Sequence, residues 1–136
     1  MIIDSIKDYF TRCPHLAGGR INVNCLGDKS ISYSIDNVAC QPVIKTYCDG
    51  ATLRQFVFVF ALRDIYDENV MRNLKNSQFF EQIENWVYEQ NQKGNLPQVD
   101  AGDSVKLEVT KSGCLDESNM HSGRWQMEMR LVYRQN

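Results

Sequence analysis

The stretch Leu53-Arg-Gln-Phe-Val-Phe-Val-Phe-Ala-Leu-Arg63 decides the fold. Phe56, Phe58, Phe60 and Leu62 fall on one face of an extended strand, and Val57, Val59 and Ala61 fall on the other. A strand apolar on both faces through its middle is expected to be covered on both sides, as the central strand of a packed sheet. The charged residues Arg54 and Arg63 mark where it leaves the core. The strand organises a fold and carries no chemistry of its own.

Working outward, Asp49-Gly50 is a strong turn signal, so Val43–Cys48 is expected to form a hairpin with Leu53–Arg63. Pro42 cannot donate to a ladder, which argues for an edge or bulge there. Ile21, Val23 and Cys25, then Ile31, Tyr33 and Ile35, alternate with polar residues across Gly27-Asp28 and read as another hairpin with one wet face. The chain opens on an amphipathic helix in which Ile3, Ile6, Phe10 and Cys13 recur at helical steps, and Pro14 ends it. After Asp67 the period is again helical: Val70, Met71, Leu74, then Phe79, Phe80, Ile83, Trp86 and Val87. Asn76-Ser77 is a place to divide this into two helices, the longer one spanning about 77–93 and ending at Gly94. Two strands close the chain. Val105, Leu107 and Val109 alternate with charged or polar neighbours, as do Trp125, Met127, Met129, Leu131 and Tyr133, and residues 116–123 between them form a polar hairpin tip. The expected fold class is α+β. An antiparallel or mixed sheet, with its central apolar strand at about 53–63, packs on the N-terminal helix and the long helix in a single domain spanning 1–136.

Composition bounds the function. With 136 residues, 43% of them hydrophobic and 24% charged, the chain has the makeup of an ordinary globular domain. A net charge of -2 argues against a dedicated nucleic-acid binder, and no specific nucleic-acid partner is expected. No apolar run reaches the ~18–20 residues that cross a bilayer, and the N-terminus lacks the features of a signal peptide, so no membrane partner and a cytosolic location are expected. Five cysteines (Cys13, Cys25, Cys40, Cys48 and Cys114) include no CxxC pair and read as small buried hydrophobes. Two histidines, His15 and His121, stand far apart, which does not suit a zinc site.

Catalytic motifs give little. Gly18-Gly19-Arg20 lacks the spacing of a phosphate loop and reads as a turn, and there is no GxSxG or HExxH segment. His15 near Cys13 is separated from it by Pro14, and His121 could approach Cys114 only across an unshielded hairpin tip. No catalytic residue, metal or cofactor is assigned. Trp125 with Arg124 and Arg130 resembles a stacking surface for nucleic acid, but Trp125 belongs to the apolar side of its strand. The better interaction surface is the wet face of that strand together with the tip before it. The candidate interface residues are Asp116, Glu117, Asn119, Met120, His121, Arg124, Glu128 and Arg130. Residues 36–42 are a second candidate arm.

Several segments carry a resemblance: Asp4-Ser-Ile-Lys-Asp-Tyr-Phe10, Gly19-Arg-Ile-Asn-Val23, Asp49-Gly-Ala-Thr-Leu-Arg-Gln-Phe56 and Glu89-Gln-Asn-Gln-Lys-Gly-Asn-Leu-Pro97. In these, and in the order of its elements, the chain resembles the small tail-terminator or minor capsid-type proteins of siphophages and prophages of Gram-positive bacteria. The resemblance is one of pattern over nearly the whole chain, without a catalytic signature. It implies a homo-oligomeric ring, a hexamer among the sizes it allows, that ends the tail tube and offers a face to the head. The implied partners are further copies of the chain, the tail tube protein and a head–tail connector protein. The implied locations are the bacterial host cytoplasm during assembly and then the tail or neck of the virion. Relatives sometimes labelled as chloramphenicol-resistance proteins would need a His-His-x-x-x-Asp-Gly segment, and neither histidine here stands in one. Two other classes remain as alternatives, a small α+β module binding nucleic acid or a ligand, and a thiol enzyme.

Overall fold

The computed structural model describes residues 2–14, 21–23, 32–64, 70–100, 102–118 and 123–135. The elements in chain order are α1 (Ile2–Thr11), β1 (Ile21–Val23), β2 (Ser32–Asn37), β3 (Val43–Thr46), β4 (Thr52–Asp64), α2 (Val70–Lys93), β5 (Gly102–Ser118) and β6 (Gly123–Gln135). They make an α+β fold around one mixed sheet of six strands, ordered β1-β2-β4-β6-β5, with β3 also pairing β4. No helix among the described residues is long and apolar enough to cross a membrane.

The aromatic strand is central. β6 pairs antiparallel with β4 along its whole length, from Thr52↔Gln135 to Asp64↔Gly123. Its other edge is shared end to end: β2 pairs with Phe58–Arg63 and β3 with Thr52–Arg54. The turn before β4 follows from Asp49-Gly50. Gly50 takes φ +89°, its N–H donates to Tyr47 O at 3.0 Å, and the Asp49 carboxylate accepts from Ala51 N at 3.0 Å.

One face of the sheet carries the core. Phe58, Phe60 and Leu62 of β4 are buried there with Met127, Met129 and Leu131 of β6 and Leu107 of β5. Both helices cover this face. Phe10 of α1 lies 5.0 Å from Phe60 and 6.3 Å from Phe58 between ring centroids, and Phe79 of α2 stacks on Tyr33 at 5.7 Å. Tyr9 and Trp86, 4.8 Å apart, join the two helices over the core. α2 ends as its sequence dictates. Gly94 takes φ +76° while its N–H reaches Asn91 O and Asn95 N–H reaches Gln90 O, satisfying carbonyls of the last turn.

Several expectations are corrected. α2 runs unbroken through Asn76-Ser77, because neither residue breaks a helix as Gly or Pro would and each costs only a few tenths of a kcal/mol there. β1 and β2 pair in parallel, Ile21↔Tyr33 to Val23↔Ile35, so they are not a hairpin; the connection through 24–31, and Cys25 with it, lies outside the described residues. Asp116 and Glu117 belong to β5 and not to a tip, since register shifts let β5 keep pairing with β6 through polar sequence as far as Ser118↔Gly123. Residues 36–42 are not an arm. Asp36 and Asn37 end β2, and the following segment lies along β4, with Val38 N donating to Val57 O at 3.1 Å and Gln55 N to Pro42 O at 2.9 Å. Cys40 and Cys48 are exposed, whereas Cys13 is buried as expected.

The second face of β4 also differs. Val57 and Val59 are half-buried, and among the described residues no helix packs over them. Their partners across the ladder are Arg130 and Glu128 of β6, and Val59 also stands opposite Asp36 of β2.

Candidate functional site

The open face of the sheet is a surface built by register. Side chains of alternate residues share it. In β4 these are Gln55, Val57, Val59 and Ala61, and their partners across the ladder are Val132, Arg130, Glu128 and Gln126 of β6. β2 adds Ser34 and Asp36, and β5 adds Lys106, Glu108 and Lys111. A line of small apolar side chains along β4 is thereby flanked by charges on both sides.

Several of those charges are matched. Arg124 Nη2 donates to Asp36 Oδ2 at 2.9 Å, across the width of β4. Arg130 pairs with Glu108 and also donates to Gln55 Oε1 at 3.4 Å, so β4, β5 and β6 are tied together. Lys106 Nζ lies 3.4 Å from Glu108, and Thr110 Oγ1 donates to Glu128 Oε2 at 2.8 Å. Burial pushes the Glu108 carboxyl up, but the Arg130 guanidinium, helped by Lys106, outweighs this and holds it below the ordinary carboxylate range. Ser34, fully buried, donates its hydroxyl to Asp36 and orients that carboxylate toward Arg124. The result is a patch, apolar along its centre, in which Arg124 and Arg130 each hold a carboxylate partner, while Arg130 Nε is buried with no hydrogen-bond partner among the described residues.

A second feature lies where α2 meets β5, an edge strand. Asn91 Oδ1 accepts from Leu107 N at 2.9 Å, and Asn91 Nδ2 donates to Leu107 O at 2.6 Å and to Val87 O at 2.8 Å. The side-chain amide thus stands where a neighbouring strand's backbone amide would stand, and it closes the edge at that residue. Beside it runs a groove of about 380 Å³, floored by Val87, Leu107 and Val109 and rimmed by Glu84, Tyr88 and Lys106.

The candidate residues read from sequence divide in three. Arg124, Glu128 and Arg130 come together on the open face as expected. Asp116 and Glu117 have their backbone in β5, with Glu117 opposite Arg124. Asn119, Met120 and His121 lie outside the described residues. His15 also lies outside them, and Trp125 is buried in the core. No cluster of three His, Cys, Asp or Glu placed to hold a metal occurs among the described residues.

Sequence reading missed Asp36, Gln55 and Glu108 as partners of the arginines, because cross-strand pairing depends on a strand order the sequence does not state. It also missed Asn91. Within Glu89-Gln-Asn-Gln-Lys93 nothing distinguishes that amide from its polar neighbours. Neither a protein-family model nor a curated protein sequence matches this chain.

Proposed function

We propose that the chain is a structural subunit of a phage or prophage virion, resembling tail terminators, which assembles with copies of itself as a ring at the end of the tail tube. The observation that carries this reading is the open sheet face. Val57 and Val59 lie half-buried at the centre of a patch whose arginines, Arg124 and Arg130, are paired with Asp36 and Glu108 within the subunit. Such pairing lets the two arginines be buried against protein with their carboxylates, which favours a repeated subunit contact. The segments of sequence that resemble tail-completion proteins give the same reading.

The pairing of the arginines weighs against the alternative of a nucleic-acid module. A backbone-binding site presents free cations to phosphates. Here Arg124 is engaged by Asp36, Arg130 by Glu108, and Arg134 lies 3.6 Å from Asp49.

The experiment is a deletion of the gene in its own phage, followed by electron microscopy of the tails. The reading expects tubes of uncontrolled length that fail to join heads, with normal length restored by the gene supplied in trans. Tails of normal length, joined to heads in the absence of the protein, would refute it.

A further inference from the structure

Among the described residues three large apolar side chains stand well exposed, Ile44, Tyr88 and Val105. Two of them share an origin. Ile44 sits at the register shift between Val43 and Lys45 in β3, and Val105 at the shift between Ser104 and Lys106 in β5. A bulge leaves one residue without a cross-strand partner and turns its side chain out of the ladder. Tyr88 of α2 lines the groove beside β5, 65% exposed.

Their placement is not random with respect to the sheet. β3 and β5 stand at opposite edges, with β4 and β6 between them, about 14 Å apart at the usual strand spacing. They are also level along the strands. Val43 pairs with Arg54, Arg54 with Tyr133, and Tyr133 with Ser104, the neighbour of Val105. One end of the sheet therefore presents an extruded aliphatic residue on each flank.

The flanks differ in charge. Beside Ile44 stands Lys45, exposed, on the same face as Arg134, which lies 3.6 Å from Asp49. Beside Tyr88 the outer surface of α2 carries Glu81, Glu84 and Glu89, of which Glu84 lines the groove. A protruding isoleucine beside an exposed lysine on one side faces, in a neighbouring copy, a groove with an apolar floor whose α2 rim carries Glu84 and whose β5 rim carries Lys106.

Resting on the ring reading above, we infer that the occupant of the α2–β5 groove is the β3 edge of a second copy of this chain, Ile44 seating against Tyr88 and Val105 and Lys45 approaching Glu84. The contact is heterologous, one patch meeting a different patch, so each copy leaves its unused flank for the next. A heterologous contact of this kind generates a ring where its rotation closes. Asn91 bars the simplest competitor, continuous pairing of two β5 edges, because it already occupies the outward N–H and C=O of Leu107.

The test is disulfide trapping in the full chain. The exposed thiols Cys40 and Cys48 are replaced by serine, and Ile44→Cys and Val105→Cys are introduced singly and together. Mild oxidation is carried out on the protein alone and on tail tubes. The double variant is expected to give a ladder of covalent multimers ending at one closed species, while each single variant stays at the background of the doubly serine-substituted parent. In the otherwise unaltered chain, Ile44→Asp is expected to abolish assembly and leave the circular-dichroism spectrum unchanged. If the parent assembles but the double variant gives no ladder, or if Ile44→Asp assembles normally, this interface is wrong and the ring reading stands. If the parent forms no oligomer alone or on tubes, the ring reading fails and the interface fails with it.

Discussion

Replacing Asn91 by alanine removes the plug that closes the β5 edge. Two hydrogen bonds with Leu107 disappear, one of 2.9 Å donated by its N–H and one of 2.6 Å accepted by its C=O, while the bond to Val87 O is lost from a carbonyl within a helix. At a net 0.5–1.5 kcal/mol per bond, the loss is about 1–3 kcal/mol. With a urea m-value of about 2 kcal/mol/M, the unfolding midpoint falls by roughly 0.5–1.5 M. Asn91→Asp separates the plug from mere bulk. A carboxylate still accepts from Leu107 N–H, but it sets a negative oxygen against Leu107 O where Asn91 donates. At pH 7 this variant is therefore expected to be at least as unstable as Asn91→Ala, and to recover below about pH 4, where the protonated acid can donate again. Urea titrations at both pH values measure this, and hydrogen exchange at the Leu107 amide reads the site directly. The reasoning is refuted if Asn91→Ala lies within about 0.5 kcal/mol of the parent, a change ordinary for surface substitutions, or if Asn91→Asp matches the parent at neutral pH.

Three further outcomes follow from single sites. The Tyr9 hydroxyl is buried with no hydrogen-bond partner among the described residues, so Tyr9→Phe is expected to raise stability by about 1 kcal/mol in thermal or urea unfolding. Burial, reinforced by Cys13, raises the Tyr9 pKa above its ordinary 10.0; the unfolded chain ionises first, stability falls as pH rises past 10, and the phenylalanine variant loses that part of the alkaline slope. A Cβ at Gly102 would lie 1.8 Å from the backbone O of Arg134, so Gly102→Ala must part the ends of β5 and β6 and is expected to cost about 1–3 kcal/mol, seen as faster exchange of the terminal amides. Because the Glu108 pKa is lowered on folding, its contribution is present above the ordinary value of 4.5 and is lost as pH falls through the folded value; Glu108→Gln is expected to flatten the acid limb of the stability profile, read by urea unfolding between pH 3 and 6.

Much of this fold was legible because its signals are local. The alternation of Phe56, Phe58, Phe60 and Leu62 placed β4 at the centre, Asp49-Gly50 placed its hairpin, and the stripe Phe80, Ile83, Trp86 and Val87 placed the buried side of α2. What failed was non-local. Two strands close in sequence read as a hairpin, but β1 joins β2 in parallel, which depends on where the intervening chain travels. The valines of β4 promised a second covering layer. They stand half-buried instead, opposite Arg130 and Glu128 of a strand distant in sequence. Val105 fits the alternation with Leu107 and Val109, yet one bulge places it outside. At the candidate surface the arginines were legible as charges on a wet face. Their acidic partners were not, since Asp36 and Arg124 become neighbours only through the order of strands.

The most direct measurement is the mass of the assembled species. Native mass spectrometry of the purified chain, alone over a wide concentration range and after incubation with tail tubes, is expected to show one dominant closed multimer at a fixed integral multiple of the subunit. A chain that stays monomeric at every concentration and does not associate with tubes would contradict the claim that its surfaces are made to meet copies of itself.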